Sequence, residues 1–394
     1  MAVTTSVAPS ASGVRGTMPA LLALGLASFL AVTTEMLPVG LLPALGEAFG
    51  TSESRTGALV TVYAAMVAIF SVPLTVATRR VARKPLIVTT VSAYLVSNVM
   101  IALAPTFAVV AGGRVVGGLA HALFFSVCIG YVPKVVESGS VGRGLAIVAG
   151  GSTAGFVLGV PLSTTLGSLI GWRGAFLTLA VVAAAVVVLV ARHLPAVAGA
   201  IGVRPARAPG TRGDLATVVT ANMLTFVGQY TLYTYVSVIL VTAGAAQGWI
   251  GPLLLVCGVC GLFGLLLTGR SIDRRQRTVV LTVIALLVAA MVGVGMSMPW
   301  LAVVVVAVAV WCGVFGGVPA MFQTAAVRTM ADAPEIAGAW INSTANIGIA
   351  VGALIGGGVL STSAGLPAVA GVGAALAATG FVVVLVGTRA FPRA

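Results

Sequence analysis

Long apolar stretches alternate along the chain with short segments that carry most of its charged residues. About twelve of these stretches approach or exceed the roughly 20 residues that a helix needs to cross a hydrocarbon core. Stretches such as 181–190 and 301–310 are apolar on every face, whereas the strands of a membrane barrel alternate between apolar and polar residues. The pattern therefore predicts twelve transmembrane helices, near residues 19–43, 56–78, 85–104, 107–131, 141–168, 174–192, 214–241, 248–269, 278–297, 299–323, 334–361 and 366–389.

The composition indicates the same class of protein. Of the 394 residues, 59% are hydrophobic and only 7% are charged, proportions typical of a membrane protein and far from those of a soluble domain. Residues 18–32 could alternatively be a cleaved signal peptide. Cleavage would remove the first span and leave an odd number, so we expect the span to be retained. The predicted fold class is an all-α polytopic membrane protein.

The basic residues indicate an orientation. If both termini are cytoplasmic, Arg55 and Arg173 are the only basic residues in outward loops, and Arg114 lies within a span. The remaining 18 of the 21 Lys and Arg residues (21 − 3) then lie in inward loops and tails, as the positive-inside rule requires. We therefore expect a multi-pass protein of the inner (cytoplasmic) membrane with both termini in the cytoplasm.

The net charge of +13 is compatible with two kinds of anionic partner, nucleic acid and anionic lipid. A nucleic-acid interface would need a soluble basic domain with interleaved aromatic residues, and the sequence has no such domain. The charge is better explained by topology and by attraction to anionic lipids of the inner leaflet. A lipid bilayer is therefore an expected partner, and nucleic acid is not.

The spans fall into two similar halves. Residues 193–213 form the longest predicted inward connection and divide the spans six and six. Basic loops at 78–84 and 269–277 occupy equivalent places in the two halves, as do glycine-bearing segments at 150–161 and 346–358. Such repeats are usual in secondary transporters. The predicted organisation is an N-terminal tail 1–18, a six-helix bundle 19–192, a linker 193–213, a second six-helix bundle 214–389 and a C-terminal tail 390–394.

Four segments carry a family resemblance. They are Thr34-Glu35-Met36 with Gly40-Leu41-Leu42-Pro43, Gly113 through His121, Gly159-Val160-Pro161 through Gly171-Trp172-Arg173, and Asn346-Ile347-Gly348. In order and spacing the chain resembles the major facilitator superfamily over essentially its whole length, and within it the twelve-span drug:proton antiporter branch of arabinose-efflux-like and chloramphenicol-resistance-like permeases. The resemblance implies two pseudo-symmetric six-helix bundles that work by alternating access.

The loop between spans 2 and 3 departs from the pattern of the family it resembles. Where the family usually carries an Asp, this chain has Arg79, and the acid survives only in the second half as Asp273. An inward gate that uses a loop carboxylate would therefore be asymmetric. The candidate gating residues are Arg79, Arg80, Arg83, Asp273 and Arg274.

Glu35 is the one carboxylate well inside a predicted span, and an ionisable group in hydrocarbon is by default a functional-site hypothesis. At 1.5 Å per residue, Glu35 and Arg114 both lie roughly 10–12 Å below the outer end of their spans. The resemblance implies that both spans line a central cavity, where Arg114 would keep Glu35 ionised when near and let it take a proton when distant. We expect this pair to couple transport to protons. The alternatives are a fixed structural ion pair and a counter-charge for a cationic substrate.

Further polar and aromatic residues are candidates for substrate binding. His121 lies two turns from Arg114 on the same helix face and could relay protons, although a lone helix histidine is often a packing residue. A polar and aromatic stripe in span 7 favours a cavity-facing position over a lipid-facing one, although single aromatics could also pack between helices. The predicted binding residues are Glu35, Arg114, His121, Phe124, Asn222, Gln229, Tyr230, Tyr233, Trp311 and Phe315.

Small residues in span 5 predict close helix packing. Gly151, Gly155 and Gly159 recur at four-residue intervals and so form a face along which a second helix can approach closely. Pro161 in span 5 and Asn346 in the corresponding span 11 complete the predicted packing positions. Tight packing here would let the halves rock while blocking a leak between them.

The sequence predicts neither a metal nor an organic cofactor. All four cysteines fall inside predicted spans, and the pair Cys257 and Cys260 lacks a second pair or nearby histidines for zinc. No phosphate-binding loop of the G-x-x-x-x-G-K-[ST] type occurs, so ATP is not the expected energy source. An intramembrane enzyme would need paired acids or a metal triad, which the spans lack. We expect a transporter with the proton as its coupling ion.

Two substrate classes stay open. The leading hypothesis is proton-coupled efflux of a small amphipathic drug-like compound, such as a chloramphenicol-type antibiotic. The alternative is an exporter of sugars or nucleosides on the same fold, in which Asn222, Gln229 and His121 would matter more than the aromatic residues. In either case we expect a monomer whose partners are protons, a small-molecule substrate and the bilayer.

Overall fold

The computed structural model describes residues 14–78, 80–137, 141–197, 211–272, 275–329 and 334–391. These residues form fourteen α-helices and one π-helical stretch, with no β-strand among them. The α-helices are α1 Val14–Phe49, α2 Glu53–Ala77, α3 Arg83–Ala102, α4 Phe107–Val135, α5 Val141–Ala154, α6 Val160–His193, α7 Thr211–Tyr233, α8 Val236–Thr242, α9 Gln247–Ile272, α10 Gln276–Ser297, α11 Leu301–Phe315, α12 Val318–Thr329, α13 Pro334–Leu360 and α14 Gly365–Val386. The π-helical stretch Gly155–Gly159 joins α5 to α6.

Eleven helical segments in the described residues are long and apolar enough to cross a membrane. One of them, Ile147–His193, has 47 residues, or about 70 Å at 1.5 Å per residue, which is roughly twice the hydrocarbon thickness. The chain leaves helical geometry within it at Gly171, whose φ is 80° and ψ 158°. A Cβ added at Gly167 would lie 3.6 Å from the Cβ of Ala175, so the chain doubles back. The segment is two spans.

The remaining spans follow the sequence prediction with two interruptions. Helices α7 and α8 together form one span that is interrupted at Thr234 and Tyr235, and α11 and α12 form another that is interrupted at Gly316 and Gly317. Counted in this way, the described residues contain twelve helical segments that are long and apolar enough to span a membrane, and the predicted all-α membrane class is confirmed. The chain is a multi-pass membrane protein.

The apolar core has two parts. One part consists of residues between Ala20 and Leu194, and the other draws mainly on residues after Leu215, together with several residues of α1 and α2 such as Met36 and Val60. The predicted linker 193–213 falls largely outside the described residues. The exact bundle limits and the two tails therefore stay predictions.

The two halves meet on one side of the molecule. We call the side where α1 begins the basic side, because the basic loops lie there. The helix contacts that join the halves include α2 with α13, α6 with α9, and α1 with α8. Gly57 lies against Tyr235 and Gly251 against Thr165, both near helix ends on the opposite side. On the basic side, α5 packs instead on α1 and α4 of its own half. The halves therefore converge on the opposite side.

Candidate functional site

Helix α1 carries three internal prolines, of which Pro38 and Pro43 lie in its second half. Proline has no N–H, so the carbonyl four residues earlier lacks its helical partner. Pro38 frees the carbonyl of Thr34, and Pro43 frees that of Val39. A buried backbone carbonyl needs a donor from elsewhere, and the structure supplies one for each.

Arg114 of α4 supplies the first donor. Its Nη1 donates to the Thr34 carbonyl at 2.7 Å and its Nη2 to the Glu35 backbone carbonyl at 2.7 Å. Its Nε donates to the Leu59 carbonyl of α2 at 3.2 Å, and its Cζ lies 4.0 Å from the centre of the Tyr63 ring. The guanidinium is fully buried. Arg114 therefore ties α4 to both α1 and α2.

The sequence argument paired the side chains of Arg114 and Glu35, and the structure arranges them differently. No nitrogen of Arg114 lies within 4 Å of the Glu35 carboxylate; the ion-pair partner of Glu35 within that distance is His121. The planar fork of an arginine fits two neighbouring acceptors, and the freed Thr34 carbonyl and its neighbour provide them. Arg114 thus holds the backbone at Glu35 while its charge stays close to the carboxylate.

The carboxylate of Glu35 points to α4. Its Oε2 lies 3.7 Å from Nδ1 of His121, and the same Nδ1 lies 3.0 Å from the hydroxyl of Tyr63 on α2. Glu35 is 6% exposed, His121 3% and Tyr63 1%. Three groups that can carry or exchange a proton are therefore in line in the interior of the first half.

Tyr63 is a site residue that the sequence analysis missed. A single tyrosine in an apolar stretch is an ordinary packing residue, and nothing in its own surroundings in the sequence distinguishes it. The one available signal was its position in span 2, beside the spans that carry Glu35 and Arg114. Asn98 of α3 was missed for the same reason; its Nδ2 donates to Thr34 Oγ1 at 3.1 Å and to the Tyr94 carbonyl at 2.9 Å.

Aromatic rings border this polar cluster. The ring of Phe125 lies 4.9 Å from that of His121, and Phe124 lies 5.2 Å from Phe125 and 6.1 Å from Tyr94. Phe124, a predicted binding residue, is fully buried. It therefore reaches the cluster through neighbouring rings and packs as part of the first core.

The second half brings its predicted residues together as an aromatic cluster. Neighbouring ring centres are 5.4 to 6.3 Å apart, mostly in edge-to-face arrangements. Spacings of this kind are favourable for aromatic pairs. The hydroxyl of Tyr230 also donates to the sulfur of Met36 at 3.9 Å, which places the cluster next to α1 one residue from Glu35. The rings are those of Phe226, Tyr230, Tyr233, Trp311 and Phe315.

The two predicted amides of α7 have different neighbours. Gln229 Oε1 accepts a hydrogen bond from Trp311 Nε1 at 2.8 Å, so this amide belongs to the aromatic cluster. Asn222 Nδ2 instead donates to the Ile341 carbonyl at 3.1 Å and to Thr344 Oγ1 at 3.0 Å. Asn222 therefore joins α7 to α13, and the structure does not bring it to the aromatic cluster.

The predicted packing glycines lie against α1. A Cβ at Gly151 would overlap the Gly25 carbonyl, one at Gly155 would lie 2.9 Å from the Phe29 carbonyl, and one at Gly159 would overlap Thr33 Oγ1. The partner helix thus belongs to the same half. Pro161 follows directly in α6, and its carbonyl faces Gly251 of α9.

Span 11 repeats this arrangement. Gly348, Gly352 and Gly356 lie against α7 as the glycines of span 5 lie against α1. Asn346, which precedes them, donates from Nδ2 to the Asn342 carbonyl at 2.9 Å. Close packing of this kind keeps the central helix of each half fixed to its neighbour.

The predicted gating residues are only partly within the described structure. Arg79, Asp273 and Arg274 lie outside the described residues. Arg80 is exposed in the turn after α2, and Arg83 begins α3, where its backbone N–H donates to the Val197 carbonyl at 2.9 Å. In the part of the chain that the structure describes, no group of three or more His, Cys, Asp or Glu residues could hold a metal ion.

Known proteins share this architecture. The chain is 31% identical over 357 residues to the transcription regulatory protein OpdE of Pseudomonas aeruginosa, with 87% of both chains covered. It is 29% identical over 365 residues to a probable sugar efflux transporter of Mannheimia succiniciproducens, with 90% of both covered.

Among solved structures, a bacterial homolog of the human lysosomal transporter Spinster, inward-facing and unoccupied, matches with a TM-score of 0.76 at 15% identity, over 96% of this chain and 98% of that one. The human organic anion transporter MFSD10 matches with a TM-score of 0.70 at 16% identity, over 94% of this chain and 99% of that one. At these identities the likeness shows the fold alone. The sequence itself matches the Major Facilitator Superfamily over residues 24–340, and the chain belongs to that superfamily of membrane transporters.

Proposed function

We propose that this transporter exports a small amphipathic compound across the cytoplasmic membrane in exchange for protons, with both termini in the cytoplasm. The observation that carries the proposal is the buried carboxyl of Glu35, next to His121 and at the junction of the two halves. Burial makes the ionised form of a carboxyl costly, so a closed site favours the protonated form. Opening to water on one side then favours its release.

One proton is a sufficient energy source for such an exchange. A proton that enters with a membrane potential contributes ~2.3 kcal/mol per 100 mV, and each pH unit adds ~1.4 kcal/mol. For a neutral substrate the sum, roughly 3.7 kcal/mol, supports a concentration ratio of several hundred at ~1.4 kcal/mol per tenfold. A single titrating site therefore meets the requirement.

The aromatic cluster beside Glu35 supports an amphipathic substrate. Five rings pack together there, few polar groups lie among them, and Tyr230 and Trp311 are almost fully buried. Pockets with this balance suit moderately apolar ligands that need a few hydrogen bonds. A chloramphenicol-type compound is our first candidate.

Sugar export is the second candidate. The observation in its favour is the relative from Mannheimia succiniciproducens, whose name is probable sugar efflux transporter and which is covered over 90% of its length. Here Gln229 and His121 would supply the hydrogen bonds to hydroxyl groups, and the rings would pack against the sugar.

Inside-out vesicles test both the coupling and the substrate class. With an acidic interior imposed on the vesicles, we expect accumulation of either chloramphenicol or a pentose, and loss of the accumulation when the pH gradient collapses. Glu35→Gln should abolish gradient-driven accumulation. The matched control is Glu47→Gln, which makes the same change at an exposed position of the same helix and should leave accumulation intact. Accumulation unchanged in Glu35→Gln would refute the coupling proposal.

A further inference from the structure

We infer that Tyr63 is a positioning residue of the proton site: its hydroxyl, by exchanging the roles of donor and acceptor at Nδ1 of His121, lets that histidine relay the proton of Glu35 while staying neutral. The inference rests on the proposed function and adds to it a residue and a proton path. Tyr63 joins both ends of the site, since its hydroxyl lies 3.0 Å from His121 Nδ1 and its ring faces Arg114 at 4.0 Å.

Nδ1 of His121 has two polar neighbours, the Tyr63 hydroxyl and the Glu35 carboxyl, but it has only one lone pair or one hydrogen to share with them. A neutral imidazole nitrogen either accepts a hydrogen bond or donates one. When Nδ1 accepts, it can receive the Tyr63 hydroxyl at 3.0 Å, and Glu35 at 3.7 Å carries its own proton. When Nδ1 donates, its N–H is directed at the Tyr63 oxygen and the Glu35 carboxylate. A hydroxyl can serve in both states because it is donor and acceptor.

The proton balance of the relay is complete. As the site opens to water, the Tyr63 hydroxyl turns away from Nδ1, the O–H bond of the Glu35 carboxyl breaks and its proton joins Nδ1. The N–H bond at Nε2 breaks at the same time, and that proton passes to a water molecule, which becomes hydronium. The histidine begins and ends neutral with the opposite tautomer, and the Tyr63 hydroxyl turns from donor to acceptor. The path never requires a charged imidazolium beside the buried guanidinium of Arg114, which would be unfavourable between like charges.

The charged and titratable groups around the site come from five helices. Glu35 comes from α1, Tyr63 from α2, Tyr94 from α3, and Arg114 and His121 from α4; Tyr230 of α7 faces Glu35 from the other half. Arg114 is bound to three backbone carbonyls and so keeps a fixed place. Glu35, His121 and Tyr63 are not held in this way and can change their hydrogen bonds with each proton.

Tyr63→Phe isolates the hydroxyl because it keeps the ring against Arg114. Without the hydroxyl, Glu35 is the remaining neighbour of Nδ1 in both tautomers, so the pH at which the carboxyl titrates should move. The expected shift is about half a pH unit or more, from a net hydrogen bond of ordinary strength. Gradient-driven transport should slow by about fivefold for the same reason.

The titration is measured on the purified full-length protein by infrared difference spectroscopy, through the C=O stretch of the protonated carboxyl. The band is assigned to Glu35 by its loss in Glu35→Gln, so the readout needs no known substrate. The matched control is Tyr131→Phe. Tyr131 lies on the same helix as His121, and its hydroxyl donates to the Pro195 carbonyl at 2.9 Å. The titration midpoint of Glu35 in this variant should equal that of the wild type.

A double variant tests whether Tyr63 acts through the histidine. In a His121→Asn background, Tyr63→Phe should produce no further shift of the midpoint, because the partner of the hydroxyl is gone. A wild-type midpoint in Tyr63→Phe, or an equal shift in both backgrounds, would overturn the inference. Neither result contradicts the coupling proposal. That proposal fails only if Glu35→Gln still accumulates substrate when a pH gradient is applied.

Discussion

The two halves repeat one architecture around different chemistry. In both, a glycine-bearing helix packs closely on a central helix: span 5 on α1 and span 11 on α7. The centre of the first half holds Glu35, His121 and Arg114, whereas the equivalent region of the second half is neutral and aromatic around Trp311. The two halves therefore share this packing and differ in the residues of their interiors. On the proposed function, the first half binds the proton and the second half offers most of the surface for the substrate.

The difference extends to how each centre is held in place. Arg114 is anchored by three backbone carbonyls on α1 and α2, so a charge holds the first centre together. In the second half, Trp311 donates to the side chain of Gln229 and Tyr230 to the sulfur of Met36, and the other contacts are between rings. The first centre should therefore be sensitive to the loss of one residue, and the second more tolerant.

The largest expected effect follows the loss of the guanidinium. Arg114→Met leaves the Thr34 carbonyl, which Pro38 deprives of its helical donor, without any hydrogen bond, and it removes the second donor of the Glu35 and Leu59 carbonyls. A buried unsatisfied polar group costs about 1–3 kcal/mol. We expect a clear fall in the thermal unfolding midpoint of the purified protein together with the loss of transport. Arg114→Lys should recover only part of both, because an ammonium cannot reproduce the fork.

Arg173→Met is the control for that experiment. Arg173 donates to one carbonyl, that of Ala104, at 3.0 Å and stacks on Trp172 at the end of a span. Its removal should lower the midpoint much less. Equal falls in the thermal unfolding midpoint in Arg114→Met and Arg173→Met would show that the hydrogen bonds of Arg114 to the backbone of α1 and α2 do not stabilise the protein more than an ordinary arginine does.

A smaller effect, of a different kind, is expected in the second half. Trp311→Phe keeps a ring in the cluster but removes the donor to Gln229, and a net hydrogen bond of about 1 kcal/mol corresponds to roughly fivefold in affinity. We expect weaker binding of chloramphenicol or a pentose with an unchanged requirement for the pH gradient. Trp300→Phe, at a residue that is 71% exposed, is the matched control. A loss of gradient dependence in Trp311→Phe would remove the division of labour between the halves.

The sequence predicted the fold well because the length and apolarity of a span are set by the bilayer. All twelve crossings lie where the hydropathy pattern placed them, although α1 extends from Val14 to Phe49 beyond the predicted 19–43. Helical hydrogen bonding does not stop where apolar residues stop, so charged and polar residues at the membrane edge continue the helix. The pattern also could not show the interruption of span 7 at Thr234, which depends on packing.

The contacts of the site were less predictable. The depth shared by Glu35 and Arg114 followed from helix geometry, but the choice between a side-chain and a backbone partner depends on which acceptors are vacant. Pro38 was the available clue, because it frees the Thr34 carbonyl that Arg114 binds. Tyr63 gave no such signal, since its partner lies 58 positions away on another helix.

Pro43 of α1 gives an effect no larger than that of Trp311→Phe and the sharpest contrast between the halves. Pro43 frees the carbonyl of Val39, and Ser237 of α8, from the other half, donates to it at 2.6 Å. This bond, unlike that of Arg114, crosses the interface near the side where the halves converge. It has to break when that side opens, so it stabilises the closed arrangement.

Ser237→Ala should therefore favour opening of the side opposite the basic side. The bond contributes about 1 kcal/mol, which corresponds to roughly a fivefold change in the ratio of closed to open molecules. Distances between spin labels on the ends of α1 and α8 at that side would measure the ratio. Ser163→Ala is the matched control, because Ser163 donates to the Gly159 carbonyl of its own span at 2.6 Å, and this bond survives opening. If both variants leave the distance distribution unchanged, the hydrogen bond from Ser237 to the Val39 carbonyl does not stabilise the closed arrangement. The halves are then held closed by the packing of α2 on α13 and of α6 on α9.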